Sequence, residues 1–293
     1  MLALLREMRS TFSLRVFRKH LGMYLCGFGA EWLFASVFTY FIIFVLQYDP
    51  TMVSGLSSLN SVLQLFSTAI FIAICVKHGF SKPYILALGI VIFSLLCYAA
   101  LYFFHLPQQY ATAAMLAITV VFGIGTGGVY YIPWTVYTFL ADVDEVFTGC
   151  HREGIYAGTM TFSGKLVRSV IVFTMGAILS LDGFQSKSQT QPESAVMAIA
   201  LVFCVGVIAL ALAGIYFSAQ MKLNRKAHLV VLAEVARIRG GGQISHVTAD
   251  VRAVMEALIG FPYEQCWGNS TVCCDGRNEH PDRTPLAGTT RQP

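Results

Sequence analysis

Six stretches of this chain are apolar over about 20 residues or more, the length of helix that crosses roughly 30 Å of hydrocarbon. Only 12% of its 293 residues are charged and 56% are hydrophobic, whereas soluble domains carry about 25% charge. The sequence therefore predicts an all-α membrane protein with six transmembrane helices. We place the spans near residues 22–46, 53–76, 82–104, 110–140, 154–181 and 194–219.

Basic residues gather on one side of the predicted membrane. They occupy both terminal segments and the loops after the second and fourth spans, and they are Arg6, Arg9, Arg15, Arg18, Lys19, Lys77, Lys82, Arg152, Lys222, Arg225, Lys226, Arg237 and Arg239. The loops of the opposite side hold a single base, Lys187. Because lysine and arginine are enriched in cytoplasmic loops, we expect both termini to lie in the cytoplasm.

The same pattern divides the chain into four parts. Residues 1–21 form a cytoplasmic lead-in, and residues 22–219 form the six-helix bundle. Residues 220–239 are typical of a basic amphipathic helix, which either lies on the inner leaflet or caps the bundle. Residues 240–293 form a cytoplasmic tail that we expect to be largely disordered at its end.

The second span carries a polar face. Asn60, Gln64 and Thr68 follow one another at intervals of four residues and so share one side of the helix. Such a face is not expected to meet lipid. It either packs on a neighbouring helix through hydrogen bonds or lines a wet cavity.

The fourth span contains "GIGTGGVYYIPW", which has the glycines of a nucleotide loop but lacks the strand and exposed helix start that such a loop needs. Small residues let helices approach closely, and Pro133 can bend a helix, so we interpret the segment as a packing surface or hinge. Tyr130 and Trp134 either stack on a sugar or anchor the helix at the interface.

Three charged residues fall well inside spans. Glu31 lies within the first, and Lys165 lies eleven residues after Gly154, about 16 Å along the fifth helix. Arg168 follows on nearly the same face. A charge at mid-bilayer costs roughly 2.5–3.5 kcal/mol, so we expect these residues to face the interior. There they contact substrate or form a purely structural ion pair, for example Glu31 with Lys165.

Asp142, Asp144 and Glu145 cluster at the carboxyl end of the fourth span. Acidic residues there oppose the helix dipole, so local helix stability does not explain them. They either form a solvated loop or act as a charge latch that forms and breaks with conformation. For the latch, Arg152 and bases of other cytoplasmic segments are the expected partners.

Other kinds of site find little support in the sequence. No spacing among Cys150, Cys266, Cys273 and Cys274 fits a zinc framework, so we expect no metal and no cofactor apart from a coupling cation. The seven histidines lie at span ends or in the tail and form no catalytic constellation, so an enzyme is not expected. No basic, base-stacking surface indicates a nucleic-acid partner.

The segment "ADVDEVFTGCHREGIYAGTMTFSGK", residues 141–165, resembles the signature of the glycoside–pentoside–hexuronide:cation symporters of the major facilitator superfamily. The matching positions are Ala141, Asp142, Asp144, Thr148, Gly149, Arg152, Glu153, Gly154 and Lys165. His151 stands where the family pattern has an arginine. The resemblance covers about residues 10–220 and implies one half, the C-terminal six-helix bundle, of the family's twelve-helix fold.

The resemblance implies the C-terminal half of a secondary transporter that couples sugar or glycoside uptake to sodium or protons. Its expected partners are the substrate, the cation, the lipid bilayer and an N-terminal half or second copy of the chain. We expect the protein to lie in a bacterial inner (plasma) membrane and to cross it several times. The alternative is a non-transporting relict or assembly partner.

By this resemblance Lys165 faces the cavity shared between two halves, and the cytoplasmic gate consists of Asp142, Asp144, Arg152 and Glu153. From the polar and aromatic residues described above, we add the remaining candidates for the substrate cavity. They are Glu31, Asn60, Gln64, Tyr130, Trp134 and Arg168.

Overall fold

The computed structural model describes residues 2–104, 107–185, 188 and 190–266. Six helical segments in this part of the chain are long and apolar enough to cross a membrane, as the sequence predicts. With the short helices that flank them, the elements are α1 Leu2–Thr11, α2 Arg15–Tyr40, α3 Pro50–His78, α4 Ser81–Phe104, α5 Gln108–Thr148, α6 Glu153–Leu181, α7 Glu193–Leu201, α8 Val207–Ala219, α9 Arg225–Arg239 and α10 Ala249–Ile259. The predicted end of the tail lies largely outside the described residues.

The first span begins earlier than predicted. Helix α2 starts at Arg15 rather than near residue 22, because Val16 and Phe17 are buried in the core between basic residues. Charged residues at the end of a span can keep their head groups in the polar region while their stems stay apolar. Counting charges therefore places the boundary about two turns too late.

Two spans contain π-helical turns that meet each other. Helix α2 continues into a π turn at Phe41–Val45, and Val202–Gly206 joins α7 to α8 in the same way. The rings of Phe41 and Phe203 stack with centroids 4.0 Å apart and planes 9° from parallel. Stacked rings of this kind add to the apolar burial that holds α2 against the last span.

Helix α5 lies between α3 and α4, and its glycines make both contacts. A Cβ at Gly127 would lie 2.5 Å from Ser67 Oγ on α3, and one at Gly125 would lie 2.9 Å from the Ala87 carbonyl oxygen on α4. Ser67 Oγ also donates a hydrogen bond to the carbonyl of Ile124. The glycine-rich segment is thus a two-sided packing surface, which confirms the interpretation from the sequence.

One end of the bundle, which we call the basic end, is covered by two further helices, α9 and α10. Helix α9 packs against α5 and buries Val231 and Val235, and α10 contacts α2, α5 and α9. The ring of Phe147, near the end of α5, stacks on Phe261 with centroids 5.5 Å apart. Of the two alternatives for the amphipathic segment, the structure shows a cap on the bundle.

Candidate functional site

Helix α6 exposes a polar stripe over half its length. Gly154, Gly158, Thr161, Lys165 and Arg168 recur at intervals of three and four residues, and all five are exposed. A Cβ added at either glycine would meet no atom within 4 Å. In an apolar stretch of 18 residues within each helix, 17% of the stretch is buried in α6 and 50% in α5. We call these five residues the open stripe.

A second exposed face of α6 is apolar. Phe162, Leu166, Val170 and Phe173 are each more than half exposed and are suited to contact lipid. Successive helical residues are about 100° apart, so this face lies beside the open stripe. Helix α6 therefore has one exposed apolar face and one exposed polar face.

Of the two alternatives for the charges inside the spans, the purely structural ion pair between Glu31 and Lys165 is not formed, so that alternative is wrong for this pair. Glu31 on α2 is 7% exposed, and its Oε1 atom has no hydrogen-bond partner. Among the described residues neither Lys165 nor Arg168 makes a salt bridge. Sequence distance gives the depth of a side chain along a helix but not the direction in which that helix faces. Glu31 points into the bundle, and Lys165 points out of it.

Aromatic rings line the bundle beside the open stripe. Tyr24 packs edge-on against Trp134 with centroids 5.8 Å apart, and Phe28 packs against Tyr130 at 5.0 Å. Trp32 lies one turn further along α2, with its ring 5.7 Å from Phe28. We call Tyr24, Phe28, Trp32, Tyr130 and Trp134 the aromatic wall.

The aromatic wall packs against α6 at Gly164, the residue before Lys165. A Cβ at Gly164 would lie 2.6 Å from the Tyr24 hydroxyl and 3.1 Å from the Trp32 ring. Tyr130 and Trp134 remain 39% and 38% exposed, so part of the wall is open. The sequence analysis missed the α2 members, although their four-residue spacing, which places them on one helical face, was a signal for them.

Asn60 lies at a helix contact. A Cβ at Gly123 of α5 would be 3.3 Å from Asn60 Oδ1, and that oxygen is buried without a hydrogen-bond partner. Thr68 donates to the backbone carbonyl of Gln64 on its own helix. At Asn60 and Thr68 this face thus packs against α5, as one alternative expected, but without the expected hydrogen bonds between helices among the described residues. A role for Asn60 and Gln64 in a cavity stays a prediction.

The carboxyl end of α5 carries a buried ion pair. Arg152 Nε donates to Asp144 Oδ2 at 2.7 Å, and its Nη2 donates to Asp144 Oδ1 at 2.8 Å. A third donor, Nη1, reaches the Ser10 hydroxyl of α1 at 2.9 Å. The Asp144 side chain is 1% exposed and that of Arg152 is 13% exposed. Arg152 thus ties the loop after α5 to both α5 and α1.

Burial lowers the pKa of the Arg152 guanidinium, but the hydrogen bonds and charge of Asp144 outweigh it and raise the pKa above its usual value. A group with a raised pKa stabilises the fold below its unfolded-state pKa, and loses that effect only as pH rises through the folded value. For arginine this lies in the strongly alkaline range. Arg152 therefore keeps its positive charge at every physiological pH.

The neighbouring acids of α5 pair with bases of α9. His228 Nε2 lies 2.8 Å from Asp142 Oδ2, and Arg239 donates to Glu145 Oε1 through Nε at 2.8 Å. His151 Nδ1 lies 3.2 Å from Glu145 Oε2. The eight residues that meet here form what we call the gate cluster: Asp142, Asp144, Glu145, His151, Arg152, Glu153, His228 and Arg239.

The sequence analysis expected bases of other cytoplasmic segments as partners of these acids but did not single out His228 or Arg239. Their partners are 86 and 94 residues away along the chain, so no local pattern joins them. The gate role of Asp142, Asp144, Arg152 and Glu153 stays a prediction, since contacts alone do not show opening and closing.

Comparison with known proteins agrees with this architecture. Over 203 residues the chain is 29% identical to an uncharacterized symporter of Synechocystis sp. (strain ATCC 27184 / PCC 6803 / Kazusa). That match covers 68% of the chain and 36% of the relative, so the chain spans little more than a third of the relative's length. Residues 1–225 match the family described as MFS/sugar transport protein. The chain is therefore a multi-pass membrane protein that belongs to the MFS/sugar transport family.

Proposed function

We propose that the chain is the C-terminal half of a cation-coupled symporter for a sugar or glycoside. The family and the six spans support a transporter rather than an enzyme. In this proposal the basic end is cytoplasmic, in keeping with the distribution of lysine and arginine. Activity requires an N-terminal half or a second copy of the chain, which supplies the other wall of the cavity.

The open stripe of α6 carries this proposal. Lys165 and Arg168 are exposed in mid-span without an ion pair among the described residues. Facing lipid, each would cost about 2.5–3.5 kcal/mol, so together they would cost roughly 5–7 kcal/mol. Phe162 and Leu166 already supply α6 with an apolar face for lipid. The stripe therefore faces a water-filled space or another polypeptide.

The aromatic wall and Lys165 together suit a sugar. The partly exposed rings of Tyr130 and Trp134 offer apolar faces for the C–H side of a pyranose. The Lys165 ammonium offers three hydrogen-bond donors for hydroxyl oxygens. The wall packs against α6 at Gly164, one residue before Lys165, which supports a shared site for the rings and the ammonium. A site built in this way binds a polyol with one apolar face.

Glu31 is our candidate for the group that senses the coupling cation. It is the only carboxyl residue in the interior of the six predicted spans. It lies within electrostatic reach of Tyr130, a member of the aromatic wall, and Tyr130 is in turn within reach of Arg168. A buried, unpaired carboxylate is costly, and binding of a proton or a sodium ion removes that cost.

The test is uptake of labelled hexoses and glycosides by cells that express the full reading frame containing this chain. Uptake is measured with and without a sodium or proton gradient. The variant Lys165→Ala is compared with Lys77→Ala, which removes an exposed lysine at the end of α3. A hydrogen bond to a charged group contributes about 1.5–3 kcal/mol, so we expect Lys165→Ala to weaken apparent affinity roughly 10- to 150-fold.

Two results would contradict the proposal. One is that no sugar in the panel accumulates although the protein reaches the membrane, which favours the non-transporting alternative. The other is that Lys165→Ala and Lys77→Ala transport equally well, which removes Lys165 from the cavity. Membrane levels of both variants must match the parent protein before uptake is compared.

A further inference from the structure

Three ligand-type side chains converge in the gate cluster, where Asp142 Oδ1 and Glu145 Oε2 are both directed at His151 Nδ1, and His151 Nε2 lies 3.8 Å from Glu153 Oε2. Asp142 and Glu145 lie one turn apart on α5, and His151 follows the turn at Gly149, whose φ of 76° reverses the chain. One ligand atom from each of the three residues lies within 4.8 Å of the others. His151 is 45% exposed at its side chain, so the cluster is open to solvent on one side.

The spacing of these atoms is close to that of ligands around a metal ion. His151 Nδ1 lies 3.2 Å from Glu145 Oε2 and 3.9 Å from Asp142 Oδ1. A tetrahedral zinc ion with bonds of about 2.0–2.1 Å places its ligand atoms about 3.3–3.4 Å apart. The Nδ1–Oε2 distance is thus already close to that geometry, and a bound ion would draw Asp142 Oδ1 about 0.5 Å closer to His151 Nδ1, with a fourth position left for water.

The remaining atoms of the two carboxylates are held by bases of α9. Asp142 Oδ2 contacts His228 Nε2 at 2.8 Å, and Glu145 Oε1 accepts from Arg239 Nε at 2.8 Å. Each carboxylate thus has one oxygen held by a base of α9 and the other directed towards His151. Metal sites in proteins commonly have such outer contacts, which orient the ligands before the metal arrives.

We propose that Asp142, Glu145 and His151 form a binding site for a divalent transition-metal ion of the zinc class. One imidazole nitrogen with two carboxylates suits zinc and its neighbours, whereas magnesium and calcium prefer oxygen ligands alone. Cys150 is disulfide-bonded, so its sulfur is not an available ligand. Since His228 and Arg239 hold the ligands, a bound ion stiffens the contact between α5 and α9.

A protonated His151 bridging the same two carboxylates is the competing explanation of the geometry. The two explanations differ at one substitution. His151→Arg keeps a positive charge next to Glu145 and Asp142 but removes the nitrogen that binds metal. It is also the residue of the family signature at this position, so we expect the variant to fold.

The experiment uses the full chain, purified in detergent without reducing agent and stripped of metal with a chelator. Zinc binding is measured by calorimetry and by competition with a zinc-sensitive dye. We expect one Zn²⁺ per chain, with micromolar affinity or tighter. Both His151→Arg and His151→Gln are expected to weaken it at least tenfold. His228→Gln acts through Asp142 and should weaken binding by about 10- to 100-fold. His78→Gln, at the exposed end of α3, is the matched control and should bind as the parent does.

Thermal unfolding gives a second, independent measurement. Zn²⁺ at saturating concentration should raise the melting temperature of the parent and of His78→Gln but not that of His151→Arg, and Mg²⁺ should raise none of them. Equal zinc binding by the parent and His151→Arg would overturn the proposal. So would binding by the parent only at millimolar zinc. These outcomes do not depend on whether the protein transports sugar.

Discussion

Loss of the Arg152 side chain should destabilise the protein more than loss of any other charge in the gate cluster. Arg152→Ala leaves the Asp144 carboxylate, which is 1% exposed, without its two hydrogen bonds of 2.7 and 2.8 Å. Removing one partner of a buried pair costs about 3–5 kcal/mol, because the other charge stays buried and uncompensated. The contact to Ser10 of α1 is lost as well.

The measurement is thermal unfolding of the purified chain in detergent. It is monitored as the loss of the protein's monodisperse peak in size-exclusion chromatography. One kcal/mol shifts the melting temperature of a chain of this size by roughly 2–4 °C, so Arg152→Ala should lower it by about 6–20 °C. Arg152→Lys keeps the charge but not the planar fork, and should lie between the parent and the alanine variant.

A double variant shows whether the loss of stability comes from the uncompensated charge of Asp144 or from the missing contacts of Arg152. Asp144→Asn with Arg152→Gln removes both charges, so no uncompensated carboxylate remains, and we expect at least half of the lost stability to return. An Arg152→Ala variant that melts within about 2 °C of the parent would refute the reasoning, since that is below the shift expected for 1 kcal/mol. It would mean that water reaches Asp144.

Two further changes test the packing of α5 and the cap at the basic end by the same melting assay. Gly127→Ala places a Cβ 2.5 Å from Ser67 Oγ and should cost about 1–3 kcal/mol; Gly176→Ala, where nothing lies within 4 Å, is its control and should be neutral or slightly stabilising. Tyr263→Phe removes the hydroxyl that donates to buried Glu234, and should cost about 1–3 kcal/mol at neutral pH. Burial raises the pKa of the Glu234 carboxyl, but hydrogen bonds from Arg237 and Tyr263 outweigh it and lower that pKa below its usual value. The stabilisation is therefore present above the unfolded-state pKa and lost as pH falls through the lower folded value, so parent and variant should converge in acid.

The sequence predicted the parts of the fold that depend on length and on residue size. A span needs about 20 apolar residues whatever it packs against, so all six were found. Gly125 and Gly127 were assigned to helix packing because small residues act through their backbone, and that holds for any neighbour. Such properties are local, which is why a single sequence reveals them.

Side-chain direction could not be predicted in the same way. Lys165 and Glu31 both lie deep in the bilayer by sequence, but only the packed bundle decides that Glu31 is buried and Lys165 exposed. The same holds for the partners of Asp142 and Glu145, which come from α9 and are more than 80 residues away. From the sequence, the helix dipole showed that the acids at the end of α5 needed partners. Only the tertiary structure shows which bases pair with them.

The acids at the end of α5 illustrate how a locally unfavourable choice is stabilised by the rest of the fold. Each acid opposes the helix dipole by about 0.3–1 kcal/mol. Apolar burial of Val231 and Val235 holds α9 against the bundle but does not set its direction, because hydrophobic contact is non-directional. His228 in the first turn of α9 and Arg239 at its end attach the helix at two points. Any movement that separates the end of α5 from α9 must break one of these contacts, so the two contacts together oppose it.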